Sequence, residues 1–171
     1  MLEIVEAPNE SKHNYRRLKL FLAGGITNCP DWQKIIIEKL QKVENEYDKE
    51  VIDILTIFNP RRENFPIHDP NASKEQITWE YEKLVESDII VFWFSNGSLN
   101  PIVLYELGLH GNSNPYKRIV IGCDNEYPRK SDVEIQTELA RPDQIITHSL
   151  DEFFEEIIKA IHDEMVIFEE E

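Results

Sequence analysis

Short apolar runs alternate along this chain with helix-length amphipathic stretches, and that alternation constrains the fold more than any other feature of the sequence. Leu18 to Ala23 reads as a strand. It leads into the turn Gly24-Gly25-Ile26-Thr27 and a helix from about Asp31, whose Trp32, Ile35, Ile36, Leu40 and Val43 share one face. Val51 to Phe58 reads as the next strand, and a polar connection beginning Asn59-Pro60-Arg61-Arg62 leads to a second helix, where Ser73 and Gln76 have capping-box spacing. The run Ile89 to Phe94 reads as a buried strand, and Pro101 opens the helix after it. A strand near Arg118 to Ile121, a short one near Ile145-Ile146 and a last helix complete the order. Strand-helix units repeated about five times predict a parallel sheet covered by helices on both faces, joined by right-handed crossovers.

The 171 residues are expected to form one domain, with residues 1–16 a loose terminus and 165–171 an acidic tail. A net charge of −15 argues against nucleic-acid binding, which requires Lys and Arg clusters to neutralise phosphates. Much of the excess falls in the helix from Asp151 to Glu164 and in Glu169 to Glu171, and reads as solvated surface. Cys29 and Cys123 stand alone, without zinc-site spacing, which fits a reducing cytoplasm. No membrane-spanning segment or leader is read, and neither a metal nor a cofactor is expected: His68 has no second ligand at a suitable spacing.

Glu106 is the conspicuous residue. It sits in the segment Pro101-Ile102-Val103-Leu104-Tyr105-Glu106-Leu107, which is otherwise apolar. A carboxylate there is paired, protonated or kept because it reacts. Its place just past a strand's carboxyl end is where open α/β sheets bind ligands. The second helix offers a partner. Ile77, Tyr81, Leu84 and Val85 mark its expected buried face, with Glu80 on or beside it. Two carboxylates from the helices flanking one strand suit chemistry at an anomeric carbon, one attacking or stabilising an oxocarbenium ion while the other handles protons or orients the sugar.

Six motifs in order, Phe21-Leu22-Ala23-Gly24-Gly25-Ile26, Asp31-Trp32-Gln33, Asn59-Pro60-Arg61-Arg62, Ile77-Thr78-Trp79-Glu80, Ser87-Asp88 through Phe94, and Tyr105-Glu106-Leu107-Gly108, resemble the nucleoside 2-deoxyribosyltransferase-like family over about residues 18 to 150. The resemblance implies a flavodoxin-like, Rossmann-like three-layer sandwich with a five-stranded parallel sheet of order 2-1-3-4-5. It implies cleavage of the N-glycosidic bond of nucleosides or their monophosphates, with Glu106 as nucleophile and Glu80 as the second acid. Transfer to another base or to water would follow. It also implies a homodimer or higher oligomer whose subunits complete each other's pockets. Here Trp32, Tyr105, Tyr116 and Tyr127 supply candidate contact aromatics around the helices that begin near Asp31 and Pro101.

The remaining expected substrate contacts follow the same motifs. Gly24, Gly25, Thr27, Gly97 and Ser98 offer amides and hydroxyls for the sugar 5′ end or a phosphate, Ser98 or Asn100 takes the family's turn position, Trp32 offers a ring for a base, and Asn59 and Arg61 reach the ligand. Phe21 stands where family transferases carry a tyrosine, so activation of Glu106 needs another donor. His110, one helical turn later, could hydrogen-bond Glu106 but reads rather as a supporting or surface histidine. A nucleotide-binding or regulatory module with little catalysis is the competing reading. Flavoprotein and phospho-receiver functions on such a sheet fit poorly, because Gly24 to Asn28 carries neither a hydroxyl-rich phosphate loop nor an acidic cluster.

Overall fold

The computed structural model describes residues 1–44, 46–66 and 68–170, leaving aside the side chains of residues 46, 47 and 168–170. Six parallel strands form one sheet: β1 (Glu3–Glu6), β2 (Leu18–Gly24), β3 (Leu55–Asn59), β4 (Ile89–Phe94), β5 (Arg118–Cys123) and β6 (Ile146–Thr147), in the order β1-β3-β2-β4-β5-β6. Without β1 this is the expected 2-1-3-4-5 sheet. The extra strand corrects the reading of a loose N-terminus. Val5 is buried, β1 pairs with β3 in register Glu3 to Thr56, and the Glu3 carboxylate accepts from Ser11, Lys12 and Thr56.

Central strand β4 explains the three layers. All six of its residues are buried, and they alternate between two cores. Ile89, Val91 and Trp93 face α1 (Trp32–Gln41), α2 (Glu46–Asp53) and α6 (Leu150–Glu170), meeting Ile36, Leu40, Val51, Phe153 and Ile157. Ile90, Phe92 and Phe94 face α3 (Ala72–Glu86), α4 (Pro101–Glu106) and α5 (Lys130–Ala140), meeting Trp79, Leu84, Val103, Leu107 and Val133. A strand covered on both faces has no polar side, which is why its sequence is an unbroken apolar run.

Three local readings need correction. Val51 and Ile52 lie in α2 instead of starting a strand; both are buried, but on a helix face, and a short apolar run does not by itself distinguish the two. The capping box at Ser73 does not form: Asn71 is the N-cap residue, and Gln76 is engaged elsewhere. On α3, Ile77, Tyr81 and Val85 point outward, at 65, 56 and 54 % exposure, while Ala72, Trp79, Lys83 and Leu84 turn in. Trp79 fixes this rotation. Its indole packs on Phe21 and Phe58 and its N–H donates to the Asn9 carbonyl at 2.7 Å.

The first helix starts where expected, and Asp31 caps α1, its carboxylate accepting from the Lys34 amide. The acidic stretch after Asp151 lies in the amphipathic α6, which continues through residues read as a tail and ends at Glu170; the side chains of Glu169 and Glu170 and the whole of Glu171 lie outside the described residues. No described helix is long and apolar enough to cross a membrane.

Candidate active site

The carboxyl ends of β2 and β4 open into a cleft of about 230 Å³, between the Gly24-Gly25 turn on one side and α3 and α4 on the other. Phe21 and Ala23 form its floor, Gly24, Gly25 and Thr27 one wall, and Ser98, Asn100 and Ile102 another. Glu80 and Glu106 both line it. The sequence-derived pair therefore meets at one place.

Pro101 at the first turn of α4 starts the helix that carries Glu106, and the chain passes from α-helix into a π-helical stretch, Leu107–Asn112, immediately after it. Such π segments recur at functional sites. Among the described residues no side chain or amide hydrogen-bonds to Glu106, and its neighbours in the cleft are mainly apolar. Burial, and then the nearby Glu80 charge, push its carboxyl up to about 8. Glu80 is raised as well by burial, which outweighs the opposing hydrogen bond from Gln76. Both acids hold their protons more firmly than free carboxyls do, Glu106 the more so with Glu80 beside it, an arrangement that separates acid and base roles in paired-carboxyl enzymes.

Asn100 does more than line the wall. It sits in the left-handed region at φ 46°, is 4 % exposed, and braces two turns: its amide donates to the Ser95 carbonyl at 3.1 Å while its oxygen faces the Cys29 thiol at 3.5 Å. The Gly25 turn packs so closely on it that a Cβ there would stand 2.1 Å from Asn100 Oδ1. From the far side, the Tyr127 hydroxyl donates to the Leu99 carbonyl at 2.7 Å. These contacts fix the wall from which α4 departs.

Four expected contacts do not reach the cleft. Trp32 is 1 % exposed on the opposite face of the sheet, edge-on to Phe153, and Gly24 lacks a side chain because the indole occupies that space: a Cβ would lie 2.3 Å from the ring. Arg61 is consumed by the fold. Its guanidinium donates to the carbonyls of Gly25, Ile26, Cys29 and Pro30 and to Gln33, and it pairs with Asp31, stapling the loop after β3 to the loop after β2. Asn59 accepts from the Arg61 amide, and Gly97 lies against the Asn28 carbonyl. Arg62 pairs with Glu75.

His110 makes no bond to Glu106 and instead stands edge-on to the Tyr81 ring, 5.5 Å between centroids. The His68-Asp69-Pro70 loop contributes none of the described cleft residues. No three His, Cys, Asp or Glu side chains among the described residues are grouped to hold a metal. Sequence reasoning missed Gln76, whose amide donates to Glu80 Oε1 at 2.7 Å. The i, i+4 spacing of Gln76 and Glu80 was the available signal.

No curated protein matches the chain. Among solved structures, a conserved protein from Enterococcus faecalis V583 superposes with a TM-score of 0.55 at 14 % identity, covering 87 % of this chain and 99 % of that one; at that identity the likeness speaks for the fold alone. The family profile described as nucleoside 2-deoxyribosyltransferase like matches residues 17–127, which span β2 through Tyr127 and include every residue that lines the cleft. With that match over more than half of its length, the chain belongs to the nucleoside 2-deoxyribosyltransferase-like family.

Proposed function

We propose that this protein cleaves the N-glycosidic bond of nucleosides through a glycosyl ester on Glu106 and passes the sugar to a second base or to water. Family membership supports glycosyl transfer in general. The observation that carries the finer reading is the pair of uncompensated carboxyls, Glu106 and Glu80, facing one cleft at the strand ends. In the first step an ionised Glu106 oxygen bonds to the anomeric carbon, the C–N bond breaks, and its electron pair leaves on the base nitrogen. Glu80 gives that nitrogen a proton. In the second step the incoming base nitrogen or water attacks the same carbon, releases Glu106, and returns a proton to Glu80.

The cleft suits a neutral substrate better than a monophosphate. Among the described residues no Lys, Arg or His lines it, and Arg61 and Arg62 are committed to carbonyls and acids of the fold. A phosphate dianion beside Glu106 would also oppose the ionisation that attack requires. Deoxynucleosides should therefore be turned over at least about tenfold more efficiently than their 5′-monophosphates, each unit of like charge at such range costing on the order of 1 kcal/mol or more. Chromatography of bases released or exchanged from a panel of both, with and without a free acceptor base, measures this. Equal or better use of the monophosphates would show that the glycine-turn amides, Thr27 and Ser98 hold phosphate after all.

Phe21 favours a second reading. A phenyl ring cannot hydrogen-bond a carboxylate, so the uncharged form of Glu106 is left undisturbed, as in a binding or regulatory module. Binding of nucleosides without release of base across the whole panel would favour it.

The assembly is a homodimer or a higher homo-oligomer. Trp32 and Tyr127 are used inside the subunit, at 1 and 3 % exposure, and drop out as contact residues. The exposed apolar stripe Ile77, Tyr81 and Val85 on α3 continues across the Tyr81–His110 ring contact to Ile102, Tyr105 and Leu109 beside the cleft. An apolar face of this kind calls for a partner, and a second copy brings the same face. Light scattering on dilution should show dissociation, and added salt should tighten the contact by screening −15 charges per chain. A fully active monomer at every concentration would remove the shared pocket.

A further inference from the structure

Gln76 is a residue that neither the family resemblance nor the capping pattern explains. One N–H of its amide donates to the Pro60 carbonyl at 2.8 Å and the other to Glu80 Oε1 at 2.7 Å, while its own Oε1 is buried without a partner among the described residues. A carbonyl oxygen only accepts, so the Pro60 contact requires the amide nitrogen on that side. Glu80 Oε1 therefore always meets an N–H. The orphaned acceptor is a cost that a Leu or Met of similar size would avoid, which argues that stability is not the reason for an amide here.

We infer that Gln76 is the positioning residue of Glu80, holding Oε1 as a permanent acceptor so that Oε2 is the oxygen that carries and delivers the proton at the cleft. The inference rests on the proposed glycosidic chemistry for its use, but not for its geometry. Pro60 supplies the fixed end: its loop is stapled by Arg61 to the glycine turn, so the amide ties Glu80 to the same rigid frame that forms the opposite wall. Without the tether the Glu80 carboxyl is free to rotate and either oxygen can hold the proton, so the donor is no longer aimed.

The charged surroundings of Glu80 are few. Glu106 faces it from α4, among the described cleft residues β2 contributes the uncharged Phe21, Ala23 and Gly24 and the loop after β3 contributes Pro60, and Arg61 and Arg62 of that loop turn to the glycine-turn carbonyls, Asp31 and Glu75. Among the described residues the Gln76 hydrogen bond is the interaction that favours the ionised form against burial. Its removal and its replacement by a cation should move the Glu80 titration in opposite directions.

The test uses Gln76→Met, which removes both donors, and Gln76→Lys, which keeps a donor and adds charge. Carboxyl 13C signals of the free protein, with Glu80 assigned by its loss in Glu80→Gln, should titrate higher in Gln76→Met and lower in Gln76→Lys. This arm needs no substrate, so it stands apart from the proposed activity. Where base release is measured, Gln76→Met should lower kcat by about ten- to a hundredfold with KM within roughly twofold, and Gln76→Lys should recover part of it with the matching limb of the pH profile displaced downward. Unmoved Glu80 titration in Gln76→Lys, or a Gln76→Met enzyme with the wild-type kcat and profile while Glu80→Gln is impaired, would overturn the assignment. Shifted titrations in a protein that releases no base from any nucleoside would uphold Gln76 and sink the glycosidic reading.

Discussion

Glu106→Gln should bind nucleosides with near-normal affinity and turn them over at least about a thousandfold more slowly. Glutamine matches the shape of the carboxyl, and among the described residues Glu106 makes no hydrogen bond that the amide would break, so the cleft keeps its walls. What is lost is the oxygen nucleophile. In the wild-type protein a slow 2-fluoro sugar analogue should leave an adduct on Glu106, visible by mass spectrometry of the peptide that contains it, and the variant should carry none. The rate should rise with pH toward about 8, because burial and Glu80 keep Glu106 protonated below that and only the ionised form attacks. Full activity in the glutamine variant would end the covalent mechanism and leave Glu80 as the acid of the pair that acts.

The backbone order of this protein was legible because each sheet strand except the first is an apolar run followed by a helical pattern. Glu106 was legible for the same reason: a lone acid in an apolar segment stands out. What escaped was decided by contacts distant in sequence. β1 is a four-residue edge strand whose alternation is too short to register, and it is held by Thr56 from β3. The rotation of α3 depends on the Trp79 indole reaching Asn9, and the periodicity of Ile77, Tyr81 and Val85 is real but faces outward. Arg61 and Trp32 sit in motif positions and look like ligand contacts. Only the folded chain reveals that the guanidinium is taken by four carbonyls, and that the indole fills the space Gly24 leaves.

The same substitution, Glu106→Gln, should stabilise the fold in alkaline solution while leaving it unchanged in acid. The sign follows from the direction of the shift. In the unfolded chain the carboxyl ionises near its ordinary value of 4.5, whereas in the folded cleft it holds its proton to about 8. The folded state therefore binds the extra proton, and stability falls as pH rises through that window, the penalty being absent below 4.5 and complete above 8. Glu80, also raised, adds to the loss in the same direction. Glutamine never ionises, so the difference between variant and wild type should be near zero at low pH and climb to a plateau of about 2–4 kcal/mol in mildly alkaline buffer, below the full linkage value because water reaches the cleft. For a chain of this size that corresponds to roughly 5–10 °C in Tm. Paired denaturant melts across the pH range isolate the term, since the remaining surface charge is common to both proteins. A flat difference would mean that Glu106 is already ionised at neutral pH in the empty cleft. A plateau paired with lost turnover would instead identify the carboxyl as a group kept at the expense of stability for what it does at the anomeric carbon.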